Sequence, residues 1–377
     1  MMKKVILVIS SSLLFRAFII NFLYPFYNSS QKLFILDLLG VEINLIFFTV
    51  IFGVINLLLL FYIGKKIFNE SSGMLLSLLY AISPWSAYLE LAGSAYVIAV
   101  TGVLIVSIGL IKLIKEEKEG EVFLISGILI ASLSGIILSL CLPITLLITS
   151  FFYKRISKVR FFLIAYMGLL FLIILLFKES FLNLLVKENT IFSDPGIITT
   201  INNLRGIINE SGFEIIGKLV ANKYIYLLNI LLFHLLKNVS PVIYFSSEVN
   251  IFSFSYAPPI FLGLLIFFLY GLYMTLSNNF KRIIFLLPLA LVLLLPSVLD
   301  KNSPNLEKLF LTSPLVFLLI YIGYKNVLYL KNKLKFFILL SVATLVLIQS
   351  FVFLIDLRVG ELIRLDRVRF TYFYENQ

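Results

Sequence analysis

The chain has 377 residues, of which 60% are apolar and only 14% charged, and it carries a net charge of +11. Its repeated apolar runs of about 17–25 residues can each cross a hydrocarbon core about 30 Å thick, which excludes an ordinary soluble domain and marks an all-α polytopic membrane protein. Regular strand alternation is missing, which excludes an outer-membrane barrel, and the basic residues fall in short turns between apolar runs, a sign of topology rather than of nucleic-acid binding.

In chain order, Met1-Met2-Lys3-Lys4 and the apolar run behind it carry no small-x-small cleavage pattern, so they read as a retained first span. Spans are expected near residues 5–24, 44–64, 73–90, 95–114, 122–139, 141–153, 161–177, 260–277, 283–299, 309–324 and 336–355, eleven in all. The paired spans at 122–139 and 141–153 are expected to meet near residues 140–143. The stretch 178–259 is the one long run that does not read as spans. Residues 223–236 within it are too short and interrupted to cross, and read as an interfacial or re-entrant helix. This divides the chain into about seven N-terminal spans (1–177), an outer segment (178–259), about four C-terminal spans (260–355) and a tail (356–377).

Alternate turns hold 17 Lys or Arg, whereas the opposite short loops hold only Lys32, Lys301 and Lys308. The positive-inside rule then expects a cytoplasmic N-terminus in the plasma membrane, with 178–259 and the C-terminal tail on the extracytoplasmic side.

Candidate chemistry gathers on that side. Arg16, inside the first span, either snorkels to the outer end or lines an outward cavity and pairs with a carboxylate or phosphate. Asp37 is either a general base or a solvated loop carboxylate, and Glu90 is the one acid in the turn 84–94. Trp85 and Tyr88 in that turn form either an aromatic belt or part of a sugar-binding surface. Arg205 and Lys223 suit an anionic headgroup or a pyrophosphate, or anchor the chain at the interface. Lys308 sits at the mouth of a span, His234 reads as a packing residue, and residues 115–121 read as a solvated turn. The single Cys141 cannot close an intramolecular disulfide, and one histidine cannot build a His-rich metal site. No Gly-rich phosphate loop, zinc spacing or Ser-His-Asp pattern occurs in the sequence.

From residue 38 to about 325 the order of features resembles the GT-C superfamily of integral-membrane glycosyltransferases, in the branch of protein O-mannosyltransferases and the lipid A aminoarabinose transferase. The residues that carry it are Leu38-Leu39-Gly40-Val41, Tyr62-Ile63-Gly64-Lys65-Lys66-Ile67-Phe68, Ser72-Gly73-Met74-Leu75-Leu76 and Ala81-Ile82-Ser83-Pro84-Trp85. Asn222-Lys223, Ser240-Pro241, Phe245 and the passage from Lys308 to Ser313-Pro314 follow in the family's order. The loop at 25–38 is shorter than the family's first outer loop and lacks its Asp-Glu pair, no Arg follows Ser83-Pro84-Trp85, and Lys308 stands where an Arg is usual.

The resemblance implies sugar transfer from a polyprenyl-phosphate donor to a lipid, glycan or protein acceptor. Asp37 or Glu90 would be the base, and Arg16, Arg205, Lys223 and Lys308 would lie near the phosphate. Membrane lipids are expected as partners and nucleic acid is not. No cofactor is certain, and a divalent metal fits the chemistry although no clustered carboxylates mark a site. The alternatives are a GT-C-shaped lipid-binding or partner subunit that has lost its base and, less favoured, a transporter of lipid-linked sugars, for which no broken span with paired charges is evident.

Overall fold

A computed structural model describes residue 10 and residues 45–117, 119–152, 159–176, 190–210, 222–246, 258–278 and 280–352. The expected first span with Arg16 (apart from Ser10), the first outer loop with Asp37, and the tail lie outside the described residues. Among those described, all regular structure is helical, and one isolated antiparallel bridge joins Thr190 to Asp300.

The helices are α1 (Leu45–Ile67), α2 (Glu70–Ile82), α3 (Pro84–Leu91), α4 (Ala95–Ile114), α5 (Gly120–Ser132), α6 (Ile136–Phe152) and α7 (Arg160–Leu176). After them come α8 (Gly196–Glu210), α9 (Lys223–Val239), α10 (Pro241–Phe245), α11 (Leu265–Asn278), α12 (Phe280–Val298), α13 (Leu306–Leu309), α14 (Ser313–Val327) and α15 (Asn332–Val352). Four described helices are long and apolar enough to cross a membrane: α1, α4, the continuous run Leu306–Val327, and α15. Six shorter apolar helices of 10–17 residues stand where other spans were expected. By length and composition these helices mark a membrane protein.

Two expectations change. The span expected at 73–90 is two helices, because Ser83 is extended (φ −65°, ψ 124°) and Pro84 opens α3. A proline disfavours helical backbone at the residue before it and suits the first position of a new helix. The groups released at this break find partners: Ser83 Oγ and the Trp85 N–H donate to the Pro259 carbonyl (3.2 and 3.1 Å), and Ser86 Oγ donates to the Tyr80 carbonyl (2.5 Å). The second change concerns α5 and α6, which meet at residues 133–135 rather than near 140–143; Pro143 lies inside α6. Ser134-Gly135 makes the turn, and an apolar helix in a packed bundle tolerates an internal proline.

Helix α4 is apolar all round and buried along almost its whole length, which makes it the central element. It packs against α5 through small residues: a Cβ on Gly102 would fall 2.3 Å from the Ala131 nitrogen, and one on Gly127 would fall 2.6 Å from the Val106 nitrogen. Close backbone approach at small residues is the usual basis of helix pairing in lipid, where burial of apolar side chains brings no net advantage. At the rim, α7 and α15 leave Phe161, Phe171, Leu176, Phe337, Leu347 and Phe351 exposed, an apolar surface suited to acyl chains.

Polar groups collect at two separate ends. Lys65 and Lys66 close α1, Lys112 closes α4 and Lys325 closes α14, where cations complement the helix dipole. Lys66 pairs with Glu117 (3.0 Å), Lys112 pairs with Glu119, and Lys325 lies over the Phe68 ring (5.3 Å). The starts of α1 and α4 lie at the other end, about 30 Å away by the rise of α4.

Candidate functional site

The second polar end is built around the turn after α3. The helix runs out at Glu90-Leu91, Gly93 takes the left-handed conformation (φ 70°), and Ser94 caps α4 by accepting from the Tyr96 N–H. Glycine suits that turn because it carries no Cβ. This geometry drives the Glu90 side chain inward, where it is fully buried. Its carboxylate lies against Gly53 of α1: a Cβ there would be 2.2 Å from the carboxyl carbon and 2.4 Å from both oxygens. One turn earlier on α1, Thr49 Oγ1 donates to the Glu90 carbonyl (2.6 Å). Gly53 therefore makes the space in which the carboxylate sits.

The same turn is tied to the loop between α12 and α14. Ser94 Oγ donates to Glu307 Oε1 (2.6 Å), and the fully buried Trp85 donates its indole N–H to the Leu306 carbonyl (3.0 Å). Trp85 packs between Tyr244 and Phe310, with ring centroids 5.9 and 5.2 Å away, so its place is in the core rather than on a belt facing out. Tyr88 is partly buried and packs against the same core.

Lys308 is buried as well, and its ammonium lies 2.8 Å from the Asp300 carboxylate, whose side chain is 1% exposed. Asp300 also accepts from the Asn302 N–H (2.8 Å) and from Asn305 Nδ2 (2.9 Å). Asn305 in turn caps α13, its Oδ1 accepting from the Glu307 and Lys308 backbones. Buried charges persist when paired and hydrogen-bonded, and this pair is both.

Helix α9 docks on the same loop and on the end of α12. Asn238 of α9 donates to Ser303 Oγ (2.7 Å) and to the His234 carbonyl (2.7 Å), while Ser297 Oγ donates to Asn238 Oδ1 (2.6 Å). His234 Nδ1 lies 2.9 Å from the Val298 carbonyl, and since a carbonyl only accepts, that nitrogen carries the proton. Tyr244 donates to the Asn238 carbonyl (3.0 Å), and burial pushes its phenol up to about 12, so it stays a donor across ordinary pH. Lys301 pairs with Asp194 (3.0 Å), which also accepts from the Gly196 N–H (2.9 Å).

The structure thus brings Glu90, Trp85 and Lys308 to one polar end with Asp300, Glu307 and Asn238, which sequence reasoning did not single out. Arg205 and Lys223 lie on exposed positions of α8 and α9. Arg16 and Asp37 lie outside the described residues. Among the described residues no group of three or more His, Cys, Asp or Glu is placed to hold a metal. A carboxylate held out of bulk water, as Glu90 is, can take a proton from a hydroxyl brought to it. The Asp300–Lys308 pair already neutralises its own charge. No protein-family model, curated protein or solved structure matches the chain.

Proposed function

We propose that the chain is a GT-C-like integral-membrane glycosyltransferase of the plasma membrane, moving a sugar from a polyprenyl-phosphate donor to a lipid, glycan or protein acceptor. The reading takes the chain to cross eleven times with its N-terminus in the cytoplasm, which puts the Glu90 end on the extracytoplasmic side. The observation that carries it is the burial of Glu90 against Gly53 at the end of an otherwise apolar bundle. In this scheme the acceptor hydroxyl oxygen attacks the anomeric carbon and its proton passes to the Glu90 carboxylate. The bond from the anomeric carbon to the phosphate oxygen breaks, and the electron pair leaves on polyprenyl phosphate. Cations stabilise that leaving group. Lys308 serves there by sharing its ammonium between Asp300 and the phosphate, with Arg16, Arg205 and Lys223 as the other cations of the scheme, and Asp37 as the alternative base.

The test is sugar transfer from a labelled polyprenyl-phosphate sugar in membranes carrying the wild type, Glu90→Gln or Asp37→Asn. Loss of a base costs on the order of 10²–10⁴-fold in turnover, so Glu90→Gln is expected to fall by at least about a hundredfold while remaining folded. Undiminished turnover in Glu90→Gln removes it as the base. A second reading, a GT-C-shaped lipid-binding or partner subunit without chemistry, is favoured by the Asp300–Lys308 pairing, which occupies a cation otherwise available to a phosphate. It predicts that purified wild-type protein retains polyprenyl phosphate yet transfers no sugar.

A further inference from the structure

Helix α9 carries its polarity inside out. Its protein-facing side holds the buried His234 and Asn238, which bond to the end of α12 and to the loop behind it. Its outward side is mostly apolar: Tyr224, Leu228, Leu232, Leu236 and Val239 are all exposed, at helical spacing of three to four residues, with Asn229 the polar residue exposed beside them. A helix bathed by water would turn the amide and imidazole outward and the leucines inward. The partners of its inner face, Val298 and Ser297, lie in the last turn of α12, so α9 sits at the level where the apolar bundle ends. Lysines stand at both ends of the helix, Lys223 in its first turn and Lys237 in its last, and the Lys237 ammonium lies 4.4 Å over the Phe233 ring, its stem following the apolar face.

We propose that α9 is a lipid-docking helix: its outward stripe sits among the acyl chains of the leaflet at this end, and Lys223 and Lys237 hold anionic phospholipid headgroups. An apolar face bounded by lysines matches the chemistry of an anionic bilayer surface. Such docking requires only that the protein is embedded in a membrane, and Lys223 is the one residue it shares with the cations of the transferase scheme.

The test uses the full chain with Cys141 replaced by Ala, in nanodiscs of phosphatidylcholine and phosphatidylglycerol. Spin labels at Leu232→Cys and Leu236→Cys are compared with Asn202→Cys on exposed α8 and Leu347→Cys on α15. Labels in lipid collide with oxygen and escape a water-soluble nickel chelate, so positions 232 and 236 are expected to behave as 347 does. Behaviour like position 202 would put α9 in water, and shielding from both reagents would mean that a second copy or another protein covers it; either outcome overturns the proposal. The headgroup half is read by native mass spectrometry with phosphatidylglycerol as the probe. The double variant Lys223→Gln/Lys237→Gln is expected to lose up to about thirtyfold of the preference for phosphatidylglycerol over phosphatidylcholine, the size expected of two surface lysines. An unchanged preference removes that half.

Discussion

Glu90 and Gly53 form one steric unit, and this gives a sharp prediction at the residue scale. Gly53→Ala forces the Glu90 carboxylate out of its place, since the added carbon would overlap it. Overpacking of this kind costs about 1–3 kcal/mol, to be read as a lower unfolding temperature in detergent. Glu90→Ala removes the obstacle, so Gly53→Ala on that background is expected to cost much less than it does alone, a non-additivity that contacting residues show. Equal cost on both backgrounds would mean that the two side chains are not opposed. Asp300→Asn takes a charged partner from the buried Lys308 ammonium and is expected to destabilise by about 3–5 kcal/mol. Adding Lys308→Met should recover most of that loss, because the buried ammonium is then removed along with its partner. Glu90 stood out in the sequence as the one acid of its turn. Asp300 did not, because its pairing with Lys308 depends on the loop between them folding back through Asn302 and Asn305, and no periodic pattern encodes such a fold.

Among the elements, hydrophobic periodicity and length were enough to place most apolar helices near their observed positions, and the proline and serine chemistry at their ends was read less well. Ser83-Pro84 falls inside the span expected at 73–90 and opens the turn expected at 84–94; the proline's effect on the preceding residue divides this stretch into α2 and α3. The spans expected to meet near residues 140–143 instead meet at 133–135, and Pro143 lies within α6, where tertiary packing outweighs local preference. Helix pairing gives a prediction of its own. A Cβ on Gly323 would lie 1.8 Å from the Phe267 carbonyl oxygen, whereas one on Gly168 of α7 meets nothing within 4 Å. Gly323→Ala is therefore expected to lower the unfolding temperature by separating α11 from α14, and Gly168→Ala to leave it unchanged or slightly raised. The docking of α8 has a pH signature. The Lys301 ammonium beside Asp194, with the Gly196 N–H, holds that carboxyl below its ordinary value. A depressed carboxylate contributes stability that is complete above its unfolded value, about 3.9, and is lost as pH falls through the lower folded value. Hydrogen exchange at residues 190–197 is thus expected to stay constant from pH 8 to 5, once corrected for intrinsic rate, and to accelerate only below about pH 4.

On the scale of the whole molecule, the helices join two polar ends of different character. At one end Lys66, Lys112 and Lys325 meet Glu117, Glu119 and the Phe68 ring; at the other, Glu90, Asp300, Lys308 and Asn238 knit the turn after α3, helix α9 and the loop after α12. Lys66, Lys112 and Lys325, which the alternation of basic turns expects on one side, do lie together at one end. What the sequence could not supply was the depth of each group. Trp85 and Lys308 looked like surface features of an outer rim, and both are buried because neighbouring loops fold over them. The partition is tested most directly by cysteine labelling on a Cys141→Ala background with a membrane-impermeant maleimide. The account predicts that Asn302→Cys is labelled in intact cells and Lys115→Cys only after the membrane is permeabilised; labelling of both in intact cells, or the reverse pattern, would contradict it.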